Sequence, residues 1–213
     1  MKSLIQNRRK PLLYLITDRL TLPRKTGLID FIERAIFAGV DIVQIRERDL
    51  SARDLLLIAD SVREPARKAG AHLLVNDRAD VAACSGAGVH LTTRSMSPDI
   101  VRGAFDKEML IGASTHNLEE AQAAWRAGAD FIVFGPVFET ESKKQYGPPV
   151  GLDALRMVAG IVKIPVLALG GINQYNFREA LDAGASGIAG ISLFSQSGDI
   201  ENLVREIKSI SAA

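Results

Sequence analysis

A short phrase that recurs along the chain constrains the fold more than any other feature of the sequence. Each copy places glycine between a stretch with helical periodicity and a short apolar run. The copies are AGVD (38–41), AGAH (69–72), GAGVH (86–90), AGAD (127–130) and AGAS (183–186). Glycine suits this place because many helices end in a left-handed backbone residue, a conformation that costs glycine little. The phrase therefore predicts repeated units in which a helix is followed by a strand.

Eight apolar runs are candidates for those strands. They are LLYLITD (12–18), DIVQIRE (41–47), HLLVND (72–77), GVHL (88–91), MLIGAS (109–114), DFIVFGP (130–136), PVLALGG (165–171) and GIAGISLF (187–194). The runs lack clear alternation of apolar and polar residues, as expected for a parallel sheet buried on both faces. The amphipathic stretches between them predict helices. The sequence therefore predicts one (β/α)8 TIM barrel domain over residues 1–213, with 1–11 as an N-terminal extension. A doubly wound sheet is the alternative, because strand count alone does not prove closure.

Composition narrows the class of protein. The chain has 213 residues, 47% of them hydrophobic, which is enough for one large core. Its 26 basic and 25 acidic residues nearly balance, so bulk charge indicates neither a nucleic-acid nor a membrane partner. No apolar run approaches the length of a membrane span. Cys84 is the only cysteine, so an intrachain disulfide cannot form, and we expect a reducing, cytoplasmic location.

Polar residues collect where the predicted strands end. In a barrel of this kind, function lies at the carboxyl ends of the strands. Gln44, Arg46 and Arg48 are spaced two residues apart from the second run onward, so their side chains are expected on one side of the strand. Two cations on that side predict an anionic ligand. The other polar strand ends are Thr17, Asp18, Asn76, Asp77, Ser114 and His116. Asp18 either reaches this mouth or caps the loop that follows it.

Glycines after the seventh and eighth strands predict a phosphate site. ALGGI (168–172) and GIS (190–192) stand where barrels usually bind phosphate through backbone N–H groups. Gly170, Gly171, Ile191 and Ser192 are the candidate residues. The alternative is a tight turn between strand and helix with no ligand.

Six ordered motifs identify a family. QIRER, VNDRAD, STHNLEEA, FGPVFETESKK, LALGGI and GIS resemble thiamine phosphate synthase and its close relative, the thiazole tautomerase, and the likeness runs from Leu12 to Phe194. The synthase joins hydroxymethylpyrimidine diphosphate to hydroxyethylthiazole phosphate and releases pyrophosphate. Such a reaction needs cations and a metal where charge builds on the leaving group.

The resemblance assigns roles to individual residues. The pyrimidine diphosphate would be held by Gln44, Arg46, Arg48, Asn76 and Lys143, with Ser114 at its ring. Thiazole phosphate would lie among Thr140, Ser142, Gly170, Gly171, Ile191 and Ser192. Arg46, Lys143 and Ser114 would be the catalytic residues, and Asp77 would bind Mg²⁺. A second interpretation of Asp77 is the N-cap of the helix that begins RADVAAC.

Three positions depart from the synthase and tautomerase patterns. Arg48 stands where the synthase has lysine, which keeps the charge and changes its shape. Ser95 stands where the synthase has a second metal-binding aspartate. Pro136 stands where the tautomerase has its proton-transferring histidine, and proline cannot transfer protons.

The histidines and the departures leave three functions open. His72 and His90 lie in predicted strands and are expected to be structural, which leaves His116 as the alternative general base. A synthase using Mg²⁺ is the preferred hypothesis. The tautomerase is the second, and a non-catalytic binder of thiazole phosphate or thiamine phosphate is the third.

Overall fold

Eight parallel strands close into a barrel. The computed structural model describes residues 10–140 and 148–210. The strands are β1 Leu12–Ile16, β2 Ile42–Ile45, β3 His72–Asn76, β4 Gly88–Leu91, β5 Ile111–Thr115, β6 Phe131–Phe134, β7 Val166–Ala168 and β8 Gly187–Gly190. Each pairs with its neighbour in chain order, and β8 pairs with β1, with Leu12 opposite Gly187. The predicted (β/α)8 barrel is therefore confirmed, and closure excludes the doubly wound sheet.

Helices follow the strands on the outside. They are α1 Leu28–Ala38, α2 Ala52–Ala69, α3 Ala79–Ser85, α4 Pro98–Ala104, α5 Leu118–Arg126, α6 Gly151–Ile161, α7 Phe177–Asp182, α8 Ser192–Ser195 and α9 Ile200–Lys208. The repeated glycine ends α1, α2 and α3 with a positive φ, at Gly39, Gly70 and Gly86. The helix–glycine–strand interpretation of the repeat is correct.

The aspartate that ends two copies of the repeat ties the amino-terminal ends of the strands together. The Asp41 carboxylate accepts a hydrogen bond from the Leu13 N–H (2.8 Å) and pairs with Lys208 of α9. The Asp130 carboxylate accepts from the Ile111 N–H (2.8 Å) and pairs with Arg102 of α4 (3.0 Å). Buried carboxylates need such partners, because an unpaired buried charge is costly. This end of the barrel is therefore built for stability.

Two apolar layers fill the protein. The outer layer lies between strands and helices and includes Leu15, Val43 and Phe134. The inner layer fills the barrel with Leu12, Tyr14, Ile16, Ile42, Leu74, Leu110, Phe131, Val133, Leu167 and Ala189. The polar side chains of Gln44, His90 and Ser114 lie near the carboxyl ends of the strands.

Six strands end before the last residue of the predicted run, and two of these, β2 and β8, change the interpretation of the residues that follow. β2 ends at Ile45, because the Arg46 N–H donates to Thr17 Oγ1 (2.9 Å) and the buried Glu47 accepts from that same hydroxyl (2.7 Å). Side-chain bonds thus replace strand pairing there. β8 ends at Gly190, and the last three residues of the expected strand, 192–194, belong to the short helix α8. The prediction that Arg46 and Arg48 lie inside β2 is wrong, since both lie in the loop that follows.

The first described strand and the domain assignment complete the comparison with the sequence. β1 begins at Leu12, directly after the expected extension at 1–11. The assignment of all 213 residues to one domain stays a prediction. Among the residues that the structure describes, no helix is long and apolar enough to cross a membrane.

Candidate active site

Two clefts open at the carboxyl ends of the strands. The first, here named the glycine cleft, has a volume of about 140 Å³ and lies at the ends of β5 to β8. It brings together seven of the predicted residues: Ser114, His116, Thr140, Gly170, Gly171, Ile191 and Ser192. The predicted phosphate residues and the ring-binding serine therefore line one cavity.

The second cleft, here named the arginine cleft, has a volume of about 340 Å³ beside the ends of β2, β3 and β4. The predicted residues Arg48, Asn76 and Asp77 line it, and Arg78 and Arg94 line it as well. Arg78 pairs with Asp80 (2.6 Å), whereas Arg48 and Arg94 make no ion pair within the part of the chain that the structure describes. Arg94 is not among the residues predicted from the sequence. Its position in the loop directly after β4 would have indicated it.

Gln44 connects the barrel interior to the arginine cleft. Its side chain is buried, and its Nε2 donates to Asn76 Oδ1 (2.8 Å). Its Oε1 has no hydrogen-bond partner among the described residues. A buried acceptor without a partner costs free energy, about 1–3 kcal/mol. Such an acceptor is expected where a bound ligand provides the donor.

Arg46 places a positive charge close to the barrel interior without a salt bridge to any described residue. It is half-buried, lines neither cleft, and forms no salt bridge with any described residue. Burial, followed by the charge of Arg48, lowers the pKa of the Arg46 guanidinium from its ordinary value. The charges of Asp18 and Glu47 act in the opposite direction, but neither forms a salt bridge with Arg46, so the two cations make this a place for an anionic ligand.

Asp77 takes an unusual backbone conformation at the arginine cleft. Its φ of 63° is the one positive φ of a non-glycine residue in the described chain. Its carboxylate accepts a hydrogen bond from Ser95 Oγ and does not cap α3, whose N-cap is Arg78 without a side-chain bond. The capping interpretation of Asp77 is therefore wrong. A strained residue with an exposed carboxylate at a cleft is typical of functional sites.

The donor set around Asp77 fits Mg²⁺ under one condition. The described residues contain no group of three or more histidine, cysteine or acidic side chains placed to hold a metal ion. The Asp77 carboxylate contacts the Ser95 hydroxyl, which lies 3.0 Å from Thr92 Oγ1. The other described carboxylate that lines the cleft, Glu47, is buried and bonded to Thr17 and Arg19. Mg²⁺ commonly binds through one or two carboxylates, substrate phosphates and water. The site fits the ion when a diphosphate completes the ligands.

Ser114 is bonded to a buried histidine. His90 Nε2 lies 2.8 Å from Ser114 Oγ, and His90 Nδ1 lies 3.0 Å from the hydroxyl of Tyr14. Burial, with a smaller effect of the Arg46 charge, lowers the pKa of His90 to about 3, and burial raises the pKa of Tyr14. His90 is the buried histidine of β4 that the sequence predicts. Its contact with Ser114 was not foreseen.

His116 lies at the glycine cleft as predicted, directly after β5. Its backbone N–H and its Nδ1 both contact Glu120 Oε2, at 2.7 and 2.9 Å. Pro136, at the position of the tautomerase histidine, lines the same cleft. Asp18, the other undecided residue, caps the turn Arg19–Thr21 by accepting from the Leu20 N–H.

Gly170 and Gly171 allow two loops to approach closely. Their φ values are 97° and 66°, and a Cβ on Gly171 would lie 2.3 Å from the Glu139 carbonyl oxygen. The loop after β6 is held there by the Phe138 N–H, which donates to the Gly170 carbonyl (3.0 Å). In the described chain, the N–H groups of the two glycines donate to no protein acceptor. Both donors are thus available to an anion. Ser142 and Lys143 of this loop lie outside the described residues.

The sequence and the fold are similar to those of known proteins. The sequence matches the family "Thiamine monophosphate synthase" over residues 13–194. It is 48% identical to the "Putative thiamine-phosphate synthase" of Geobacter sulfurreducens over 84% of each chain. It is 40% identical to the "Thiamine-phosphate synthase" of Chloroflexus aurantiacus over 93% of this chain and 91% of that one. The "Thiamine phosphate pyrophosphorylase" structure from Pyrococcus furiosus superposes with a TM-score of 0.83 at 35% identity, covering 94% of this chain and 96% of that one. The chain therefore belongs to the thiamine monophosphate synthase family.

Proposed function

We propose that the protein is a thiamine phosphate synthase that joins hydroxymethylpyrimidine diphosphate to hydroxyethylthiazole phosphate and releases pyrophosphate. The observation that carries this proposal is the pair of clefts at one barrel mouth. One offers backbone N–H groups to a phosphate, and the other offers unpaired guanidinium groups beside a carboxylate. An enzyme that joins two anionic substrates needs two such compartments side by side.

The proposed reaction moves electrons without requiring a proton. The bond between the pyrimidinylmethyl carbon and the diphosphate oxygen breaks, and its electron pair leaves with pyrophosphate. The thiazole nitrogen then donates its lone pair to the resulting cation and forms the new carbon–nitrogen bond. Negative charge therefore grows on the leaving group, so cations placed there lower the barrier.

Arg46 and Arg48 are the proposed ligands of that leaving group. Neither guanidinium group forms a salt bridge with a described residue, so neither must give up an ion pair to bind diphosphate. By the family resemblance, Lys143 adds a third charge. Asn76 accepts from Gln44 through its oxygen, which leaves its amide hydrogens for the substrate.

The thiazole phosphate is proposed to bind in the glycine cleft. The N–H groups of Gly170 and Gly171 face no protein acceptor in the described chain, and Ile191, Ser192 and Thr140 complete the lining. The resemblance adds Ser142. Ser114 lines the same cleft, and by the resemblance it would lie beside the pyrimidine ring.

Mg²⁺ is the proposed cofactor, and Asp77 is the residue that would hold it. When bound, the ion would supply positive charge to the diphosphate oxygens. Asp77 lies at the arginine cleft, and Ser95 donates to its carboxylate where the synthase pattern has a second acid. We propose a cytoplasmic location on the basis of the single cysteine, Cys84.

The direct test is to incubate the purified protein with both phosphorylated substrates and Mg²⁺, and to measure thiamine phosphate and pyrophosphate. We expect both products in equal amounts and neither when one substrate is omitted. Isomerisation of the thiazole without coupling would establish the tautomerase instead. Binding of thiazole phosphate without any conversion would establish the non-catalytic binder.

A further inference from the structure

Three side chains from different strands form a hydrogen-bonded chain inside the barrel. Tyr14 of β1, His90 of β4 and Ser114 of β5 are linked by bonds of 3.0 Å and 2.8 Å through the two nitrogens of His90. Tyr14 is fully buried and His90 is 2% exposed, whereas Ser114 is half-buried and lines the glycine cleft. The chain thus runs from the closed interior to the site.

Packing holds the two rings of this chain in place. The Phe131 ring meets the Tyr14 ring edge-on, with centroids 5.6 Å apart and an interplanar angle of 86°. Tyr14 and His90 have centroids 5.7 Å apart. Side chains locked by a close-packed interior keep one rotamer, so the hydroxyl of Tyr14 stays directed at His90 Nδ1.

The direction of each hydrogen bond follows from what the groups can donate. A neutral imidazole has one donor nitrogen and one acceptor nitrogen. His90 is buried with hydroxyl partners and no acidic partner, beside the positive charge of Arg46, so it is neutral. Within the described chain the Tyr14 hydroxyl has one acceptor, His90 Nδ1, and a buried O–H without an acceptor is unfavourable. Tyr14 therefore donates to Nδ1, and the hydrogen of His90 is on Nε2.

This assignment decides what Ser114 can do. With its hydrogen on Nε2, His90 donates to Ser114 Oγ and has no lone pair there to take a proton from it. The hydroxyl hydrogen of Ser114 is then free to donate into the glycine cleft. We propose that Tyr14 is a positioning residue that fixes the Nε2–H tautomer of His90 and so makes Ser114 a hydrogen-bond donor to the bound substrate.

The first test measures the tautomer itself. Nitrogen-15 NMR of the whole protein labelled at histidine distinguishes a protonated from an unprotonated ring nitrogen. We expect His90 to show hydrogen on Nε2, and the Tyr14→Phe variant to lose this single state because Nδ1 no longer receives a donor. This measurement needs no activity, so it stands apart from the proposed function. Hydrogen on Nδ1 in the parent protein would overturn the inference, whatever the variant does.

The second test is a double-mutant cycle, and it rests on the proposed synthase activity. Tyr14→Phe should lower kcat about tenfold, the effect of one hydrogen bond, with a smaller change in KM. If Tyr14 acts through Ser114, adding Tyr14→Phe to Ser114→Ala should cost little more than Ser114→Ala alone. Fully additive losses would mean that Tyr14 only stabilises the barrel, and would refute its positioning role.

Discussion

Replacing Gly171 with alanine tests the close approach of two loops on which the glycine cleft depends. Gly171 has a φ of 66°, and its new Cβ would lie 2.3 Å from the Glu139 oxygen and 2.7 Å from Phe138 Cβ. A left-handed conformation costs alanine about 1–2 kcal/mol, and crowding in a packed region costs about 1–3 kcal/mol more. The loop after β6 can relieve the overlap only by moving away from Gly170, whose carbonyl accepts from Phe138.

Gly86 provides a matched control for the free-energy cost of placing alanine in a left-handed backbone conformation. It ends α3 with a φ of 68°, nearly that of Gly171, but an added Cβ there meets nothing within 4 Å. Gly86→Ala should therefore lose only the conformational term, about 1–2 kcal/mol. The difference in unfolding free energy between the two variants then measures the cost of the contact with the loop after β6.

Chemical denaturation and calorimetry with hydroxyethylthiazole phosphate measure the two consequences. We expect Gly171→Ala to be less stable than Gly86→Ala and to bind the phosphate at least about tenfold more weakly, because the N–H groups shift with the loop. A larger residue at 171 should move the loop further and weaken phosphate binding more. Equal stability and unchanged binding in the two variants would refute this reasoning.

Four further predictions concern charge and protonation. Lys143→Ala should lower synthase turnover on the order of 10²-fold and affect KM less, while His116→Ala should do little; the opposite order would favour the tautomerase. Mg²⁺ titrated without diphosphate should bind weakly, because Asp77 is the one exposed carboxylate that lines the arginine cleft among the described residues; tight binding would mean that a second acid has been overlooked. Arg94→Ala should raise KM for the pyrimidine diphosphate severalfold and leave thiazole phosphate binding unchanged, and an unchanged KM would remove Arg94 from the site. The pKa of His90 is about 3 in the folded chain, below its ordinary value of 6.5. As pH falls below about 6.5, the unfolded chain therefore binds a proton at this histidine and the folded chain does not, so the folded state loses stability. Denaturation should then show about 2 kcal/mol less stability at pH 5 than at pH 7, and less of this loss in His90→Gln.

The fold was predictable because its signal is local and repeated. A helix that ends in a left-handed glycine before an apolar run can be read within a few residues, as Gly39 and Gly70 show. Strand ends were less predictable because distant side chains decide them. β2 ends at Ile45 since Thr17, 29 residues before Arg46, takes over the Arg46 N–H. No pattern within the second run carries that information.

The site was predictable to the extent that function follows the ends of strands. Ser114, Asn76 and Gly171 were predicted in this way, and they line clefts at one mouth of the barrel. The division of that mouth into two compartments was not predictable, because it depends on how the loops fold over the strands. The bond between Tyr14 and His90 spans 76 residues and depends on the register of the closed barrel.

The charge balance of the arginine cleft shows what the exchange of aspartate for Ser95 does. Ser95 donates a hydrogen bond to Asp77, whereas a carboxylate in its place would repel Asp77 unless a metal ion lay between them. The cleft therefore needs no cation to be stable when empty, and it carries one negative charge fewer. Arg48 and Arg94 line it without an ion pair among the described residues, so a diphosphate meets net positive charge before any metal arrives. Under the proposed function, Ser95 leaves the cleft with one carboxylate fewer for Mg²⁺ than the synthase pattern has, and with more positive charge for the diphosphate.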